Sequence, residues 1–232
     1  MGIWNLAAVH DSLNDPKVVS VGLRLYLDAA NAASYSGSGT AWNDLSGNSY
    51  HFTLTAASAY TASPTPHMNF ENTDARRNSD VPVTANSTLM VWSSIKASTA
   101  DWRTLLRGLS NDHHVIIAAG SNTLGMYDNN AAGFVSSGFD VTNLPNYSSQ
   151  FNCLTWRFSD QSPYYKFSFN NGSTTYDSTN AAAIQNNGFG YIGGVGQQYW
   201  GKIAVLLYYS RILTDSEISN NYGFFRSRFG LP

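Results

Sequence analysis

The feature that most constrains this chain is a run of seven apolar and aromatic residues near its end. Residues 203–209 read IAVLLYY, and an unbroken run of branched and aromatic side chains is typical of a buried β-strand. A polar turn follows, and Thr214 then precedes Glu217 by three positions, which is the capping-box pattern of a helix start. A buried strand that leads into a short helix indicates a β-sandwich whose last strand closes against its own rim.

The rest of the chain predicts many short strands separated by turns. Residues 18–27 alternate between apolar and polar types, with the odd-numbered positions from Val19 to Leu27 on one face, which predicts a half-buried strand. Helical periodicity is nearly absent before residues 215–226, where apolar side chains recur at three- and four-residue spacing. Short strands with regular turns are typical of a sandwich or a barrel. The other predicted strands are residues 51–55, 68–70, 88–95, 103–106, 114–119, 123–127, 134–136, 151–158, 164–169 and 191–193.

Composition narrows the class of protein. The 232 residues suit one large all-β domain, and charged residues make up only 12% of them, about half the usual share. The formal net charge is −2 and the chain has no basic run, which excludes a nucleic-acid-binding surface. No apolar run approaches the roughly 18 residues of a membrane span, so we expect no membrane partner. The single cysteine, Cys153, allows no intrachain disulfide and is expected to be a small core residue.

The domain organisation is predicted to be an N-terminal arm at residues 1–19 and one domain at residues 20–232. The arm has no periodic pattern of its own but carries Ile3, Trp4 and Leu6, which predicts that it docks on a partner chain. The opening residues lack the basic start and long apolar stretch of a secretory signal. A nearly uncharged polar surface without an export signal favours a virion protein released by lysis, or a mature form trimmed for expression.

The order of short motifs resembles the laminin-G-like, concanavalin A-like jelly-roll domains of the phage virion-protein type. The resemblance covers about residues 20–229, and each motif is short, so it rests on their order along the chain. The motifs are GLRLYLDA at 22–29, WNDLSGN at 42–48, FENTD at 70–74, LMVW at 89–92, LTWRF at 154–158, KFSFNNG at 166–172, YIGG at 191–194, GKI at 201–203 and the stretch 211–218.

The resemblance implies an all-β, two-sheet antiparallel jelly-roll sandwich with an N-terminal arm and a short C-terminal helix. It also implies binding of glycans or proteins, in some members with Ca²⁺ at the rim of the sandwich. Glu71 and Asn72 replace the family's usual Asp-Gly pair, and Val205 stands where an acidic residue is usual. These departures weaken the expectation of the family's rim calcium, and no other cofactor is expected.

Calcium ligands are still available in two loop stretches. Asp28, Asp44 and Asn48 carry the oxygen atoms that hard cations prefer, and their loops could meet at one rim. The alternative is that these residues simply form turns, as Asp and Asn commonly do. We favour the turn-forming interpretation and keep Asp28, Asp44 and Asn48 as the candidate metal ligands.

Catalytic patterns are weak. Hydrolysis of glycosides usually needs two facing carboxyl groups, but the chain has only two glutamates, Glu71 and Glu217. Glu217 is explained as the capping partner of the helix, and no acid lies two or four positions from Glu71. The adjacent pair His113 and His114 has the wrong spacing for a metal site on a strand and favours a polar turn that leads into a strand. We therefore expect no enzymatic activity and no catalytic residue.

Aromatic residues beside predicted loops are the candidate ligand-binding residues. Tyr and Trp combine a flat apolar face with a polar group, which suits sugar rings. The alternatives are packing at the rim and contact with another protein. The candidates are Tyr127, Tyr147, Tyr164, Tyr199 and Trp200.

The sequence thus favours a non-catalytic structural protein at a virion surface, either a capsid decoration protein or a tail or fibre protein. Its expected partners are other virion proteins in an oligomeric assembly, together with glycans of a host surface. One alternative is a secreted or cell-surface lectin, which would be extracellular. A second alternative is a glycoside hydrolase.

Overall fold

The computed structural model describes residues 17–98, 100–129, 133–172, 176–178, 188–196 and 198–232. The predicted docking residues Ile3, Trp4 and Leu6 lie outside the described residues. No helix in the described ranges is long and apolar enough to cross a membrane. The strands are β1 Leu23–Asp28, β2 Ala41–Trp42, β3 Phe52–Leu54, β4 Tyr60–Thr61, β5 His67–Phe70, β6 Ala75–Val81, β7 Ser87–Ile95, β8 Arg103–Arg107, β9 His113–Ile117, β10 Thr123–Asp128, β11 Gly133–Asp140, β12 Asn152–Phe158, β13 Tyr165–Phe169, β14 Tyr176–Ser178, β15 Phe189–Ile192 and β16 Gly201–Tyr209, and the α-helix is α1 Asp215–Phe225.

These strands form two eight-stranded antiparallel sheets, which confirms the predicted jelly-roll sandwich. Sheet A has the order β14-β13-β12-β7-β16-β5-β4, and β1 pairs with the second half of β16. Sheet B has the order β11-β10-β9-β8-β15-β6-β3-β2. Three short 3-10 helices, Ala57–Ala59, Val141–Asn143 and Arg226–Phe229, complete the described secondary structure.

Strands β7 and β16 are buried on both faces, which explains the unbroken apolar run in the sequence. On one face, side chains such as Val91 and Leu206 enter the core between the sheets. On the other face, side chains such as Met90 and Leu207 enter a second cluster that α1 covers. A strand covered on both faces loses the alternation of apolar and polar residues that a half-exposed strand shows.

Helix α1 begins at the predicted capping box. The Thr214 side chain accepts from the backbone N–H of Glu217, and the Glu217 side chain accepts from the backbone N–H of Thr214. Glu217 also binds Arg211, with 2.9 Å between Arg211 Nη1 and Glu217 Oε2. The helix then packs on sheet A, where the Phe225 ring lies 4.7 Å from that of Trp92.

The predicted strand at residues 18–27 is correct only in its second half. Strand β1 starts at Leu23, because Gly22 has a left-handed φ of 78° that turns the chain. Val21, which the alternation placed on the buried face, is 69% exposed. The register of β1 against β16 also shifts between Leu23 and Leu25, so the alternation does not continue through the turn.

Candidate functional site

Six residues from six consecutive strands of sheet B are aligned across the sheet, and we call them the cross-sheet row. Each is the register partner of the next on the neighbouring strand. Each neighbouring pair also either makes a side-chain contact or lines the same cavity, so the six side chains share one face. The row, from β10 to β3, is Tyr127, His113, Arg107, Tyr191, Arg76 and Thr53.

One end of the row borders an open cavity of about 650 Å³, which we call the Trp102 cavity. Its other described lining residues come from four loops, which lie before β8, between β8 and β9, after β10 and before β16. Its described lining combines an indole ring with several hydrogen-bonding side chains, which is the combination that sugar-binding sites use. The lining residues are Ala100, Asp101, Trp102, Arg107, Asn111, His113, Asn129, Val195, Gly196 and Gln198.

Aromatic rings pack edge to face at this cavity. The Trp102 ring centroid lies 5.6 Å from that of Tyr127 and 5.3 Å from that of Phe134, with near-perpendicular planes in both pairs. Tyr127 also contacts His113 edge to face at 6.1 Å. The rings of Trp102, Tyr127 and Phe134 are all partly exposed. This packing holds the Trp102 ring, which lines the cavity, in a fixed orientation.

His113 lies at the cavity as a neutral hydrogen-bonding group. Its Nδ1 is 2.9 Å from the Thr104 hydroxyl, which itself donates to Oε1 of Gln198 at 3.0 Å. Thr104 has one hydroxyl hydrogen, which it donates to Gln198, so in its hydrogen bond with Thr104 the Nδ1 of His113 is the donor. Burial, together with the nearby charge of Arg107, lowers the pKa of His113 to about 4. At neutral pH the ring is therefore uncharged, and its Nε2 is an acceptor.

Tyr191 lies between two guanidinium groups in the middle of the row. The guanidinium carbon of Arg107 is 5.0 Å from the ring centroid, and that of Arg76 is 5.5 Å away. Arg76 also forms an ion pair with Asp74 at 2.6 Å, and Arg107 hydrogen-bonds to Asn111. Cation–π contact with one shared ring fixes both guanidinium groups on the surface.

The far end of the row borders a second cavity of about 510 Å³, which we call the Arg77 cavity. Arg77 donates to the backbone oxygens of His51 at 2.6 Å and Ser79 at 3.1 Å. Its guanidinium also stacks over the Tyr50 ring at 5.1 Å. The lining residues of this cavity are His51, Thr53, Leu54, Thr55, Arg76, Arg77, Asn78 and Ser79.

The five predicted ligand-binding aromatics fall into different environments. Tyr127 is part of the row, and Tyr199 follows Gln198 in a loop that borders the Trp102 cavity. Tyr147 and Tyr164 are partly buried and pack against the core between the sheets. The prediction of Trp200 as a ligand-binding residue is wrong, because its side chain is 0% exposed and cannot meet a ligand at the surface. It directly precedes β16, and its ring belongs to the core.

The predicted calcium ligands are engaged by protein donors. Both Asp28 oxygens accept from Arg228, at 2.7 and 3.0 Å. Asp44 accepts from the backbone N–H of Tyr26 at 3.0 Å, and Asn48 donates its amide to a backbone oxygen. The described part of the chain contains no group of three or more His, Cys, Asp or Glu side chains that could hold a metal ion. Calcium binding at these residues, the less favoured of the two interpretations of the sequence, stays a prediction.

Two further residues, Cys153 and Glu217, have the structural roles that the sequence predicts. Cys153 is a fully buried free cysteine on sheet A, and burial raises the pKa of its thiol well above the usual value. Such a thiol is unreactive and packs as a small apolar residue. The hydrogen bonds from Arg211 and from the helix start lower the pKa of Glu217 to about 2. Glu217 is therefore a permanent anion in a structural role.

Comparisons with known proteins show the fold. No protein-family model and no curated protein sequence matches the chain. Among solved structures, Trypanosoma rangeli sialidase in complex with sialic acid is similar, with a TM-score of 0.58 and 14% identity over 90% of this chain and 34% of that one. The receptor binding domain of botulinum neurotoxin D is similar too, with a TM-score of 0.59 and 14% identity over 88% of this chain and 52% of that one. The chain thus spans about a third to a half of these proteins, and the likeness supports a β-sandwich.

Proposed function

We propose that this chain is a non-catalytic carbohydrate-binding protein and that its ligand lies on the cross-sheet row at the Trp102 cavity. The observation that carries this proposal is the partly exposed Trp102 ring, which Tyr127 and Phe134 hold in place beside hydrogen-bonding groups in one open cavity. A sugar ring has an apolar face that stacks on Trp102 or Tyr127. Its hydroxyls have donors and acceptors within the same cavity, from Arg107, His113 and Asn129.

The acidic residues support a binding role. Glycoside hydrolysis by two carboxyl groups requires both to face the scissile bond, at about 5–5.5 Å or 6.5–9.5 Å from each other. Among the described residues that line the Trp102 cavity, Asp101 is the one carboxylate. The described lining of the Arg77 cavity contains none. Glu217 belongs to the cap of α1 on the other sheet.

The structural comparisons support carbohydrate binding only by analogy. One similar structure is a sialidase with sialic acid, and another is the receptor binding domain of a toxin. Both place this sandwich in proteins that bind another molecule. The analogy does not identify the sugar that this chain binds.

A location at a virion surface is the second part of the proposal, and it rests on the order of the sequence motifs alone. In this role the chain is a capsid decoration protein or a tail or fibre protein, with other virion proteins as partners and host glycans as ligands. A secreted or cell-surface lectin is the alternative, and it would use the same face of sheet B. The small net charge of −2 supports neither nucleic acid nor an anionic membrane as a partner.

A glycan array followed by titration calorimetry tests the binding role. We expect the native protein to bind a defined set of glycans, and Trp102→Ala and Tyr127→Ala to weaken binding at least about tenfold each, because stacked aromatic contacts are lost. Arg24→Ala, an exposed arginine on β1 of sheet A, is the control and should bind as the native protein does. Absence of binding to any glycan, or release of sugar products on incubation, would contradict the proposal.

A further inference from the structure

We propose that the ligand is an internal stretch of a linear polysaccharide that lies along the cross-sheet row and occupies both cavities. This inference rests on the proposed carbohydrate-binding function and specifies its ligand. The row connects the two cavities without interruption, because Arg107 lines the Trp102 cavity, Arg76 lines the Arg77 cavity, and Tyr191 contacts both arginines. A single sugar at one end would leave the other half of this surface unused.

The length of the row sets the length of the ligand. Neighbouring strands lie about 4.8 Å apart, so the five steps from Tyr127 on β10 to Thr53 on β3 span about 24 Å. One pyranose ring advances a chain by roughly the spacing between two strands, so about five rings cover the row. The polysaccharide would therefore run perpendicular to the strands of sheet B.

The middle of the row offers both kinds of contact that a sugar chain uses. The Tyr191 ring is partly exposed and supplies an apolar surface. The guanidinium groups beside it retain hydrogen-bond donors. In the described structure, Arg107 uses Nη2 for Asn111, and Arg76 uses Nε and Nη2 for Asp74. The remaining nitrogens of both groups have no protein acceptor among the described residues, and they can donate to sugar hydroxyls.

The Arg77 cavity is formed by an irregularity in β6. Three pairs of register partners join β6 to β15, and two of them, Arg76 with Tyr191 and Val81 with Phe189, lie on either side of an irregularity. Five positions separate the first members of these pairs, 76 and 81, but only two separate 191 and 189, so β6 carries three additional residues. The additional residues bulge from the sheet and form one wall of the cavity.

The position of the row in the sheet argues against an extended peptide as the ligand. A peptide strand binds by pairing with the free edge of a sheet. The row crosses strands β9, β8, β15 and β6, which have neighbours on both sides. Their backbone groups are engaged in the ladder, so a ligand on this face must bind through side chains. A polysaccharide has the hydroxyls and apolar ring faces that match those side chains.

Chain-length dependence of binding tests the inference. The probes are di- to octasaccharide series from cellulose, xylan, chitin and alginate, measured by calorimetry with the native protein. We expect the hexasaccharide of the preferred series to bind at least about tenfold more tightly than the disaccharide, with no further gain for the octasaccharide. Equal affinities for di- and hexasaccharide would overturn the inference and leave the proposed function intact. Absence of binding in every series and on the array would overturn both.

Variants at the far end of the row provide a second readout. Arg77→Ala removes a donor from the Arg77 cavity, and we expect it to weaken hexasaccharide binding about tenfold but disaccharide binding less than about twofold. Asn78→Ala, at an exposed residue of the same cavity, repeats the test without altering the contacts of Arg77 to Tyr50. Arg24→Ala is the matched control. If both far-end variants bind the hexasaccharide as the native protein does, the inference is wrong.

Discussion

Arg107 on β8 lies over the ring of Tyr191 on β15, with 5.0 Å between the guanidinium carbon and the ring centroid. This contact joins the two halves of the cross-sheet row, because the same ring also carries Arg76 on its other neighbouring strand. The order of the side chains across the sheet therefore depends on one tyrosine.

Replacement of Tyr191 tests how much this contact stabilises the protein. An exposed cation–π contact contributes about 0.5–1 kcal/mol, so Tyr191→Leu should lower the free energy of unfolding by about 1–2 kcal/mol through loss of two such contacts. Tyr191→Phe keeps the ring and should change it by less than about 0.5 kcal/mol. Urea unfolding measures both variants. Equal destabilisation by Leu and Phe would show that the hydroxyl, and not the ring face, is what matters.

His113 should make the protein less stable in weak acid. Its pKa is about 4 in the folded protein and about 6.5 in an unfolded chain, so the unfolded state binds more protons between these values. Stability contributed by neutral His113 is present above pH 6.5 and is lost as the pH falls from about 6.5 to about 4. We expect the native protein to lose about 2 kcal/mol more than His113→Gln between pH 7 and pH 4.5.

For comparison, the loss of stability between pH 7 and pH 4.5 is also measured for His67→Gln. Burial lowers the pKa of His67 as well, so it contributes a separate share of the acid sensitivity. If His113→Gln and the native protein have parallel stability curves from pH 7 to pH 4.5, His113 is not desolvated in the folded protein.

The ion pair between Arg228 and Asp28 connects the C-terminal 3-10 helix, Arg226–Phe229, to β1. The Asp28 side chain is only 3% exposed, and both its oxygens accept from the guanidinium. Arg228→Met should therefore leave a buried carboxylate without its main partner and lower the free energy of unfolding by about 2–3 kcal/mol. Adding Asp28→Asn should recover part of that loss. Chemical denaturation of the single and double variants measures it, and additive losses would contradict the pairing.

Calcium should have little effect on thermal stability. Asp28 is already paired with Arg228, and Asp44 accepts from three backbone N–H groups, so neither carboxylate is available to a cation without loss of those bonds. We expect the melting temperature to change by less than about 1 °C between EDTA and millimolar Ca²⁺, since a ligand stabilises only the state that binds it. A clear rise in Ca²⁺ that Asp44→Asn abolishes would establish the rim site.

The fold could be predicted from the sequence because its signals are local. The apolar run of β16, the capping box of α1 and most strands are visible as patterns within ten residues. Strand β6 was missed, because Ala75–Val81 reads ARRNSDV and resembles a loop. Its polar residues are explained by the bulge and by the exposed face of sheet B. Strands β2 and β4 have two residues each, which is too short for a periodic signal.

The candidate site could be predicted only in part, because it depends on register across the sheet. Tyr127 was identified as an aromatic beside a turn, but Arg107 and Tyr191 carry no local mark of a binding role. They meet because β8 and β15 are neighbours, although they are far apart in the sequence. Trp200 was wrongly included, since a residue at the start of a buried strand resembles a loop residue in sequence. Only the packing distinguishes the two.

The most direct test of the account is an NMR titration of the ¹⁵N-labelled protein with the hexasaccharide that binds most tightly. We expect the largest chemical-shift changes at the amides and side chains of the row, with both ends affected in one binding event. Largest changes at the rim loops around Asp28, Asp44 and Asn48, with the row unaffected, would contradict the account. The row residues to be followed are Tyr127, His113, Arg107, Tyr191, Arg76 and Thr53.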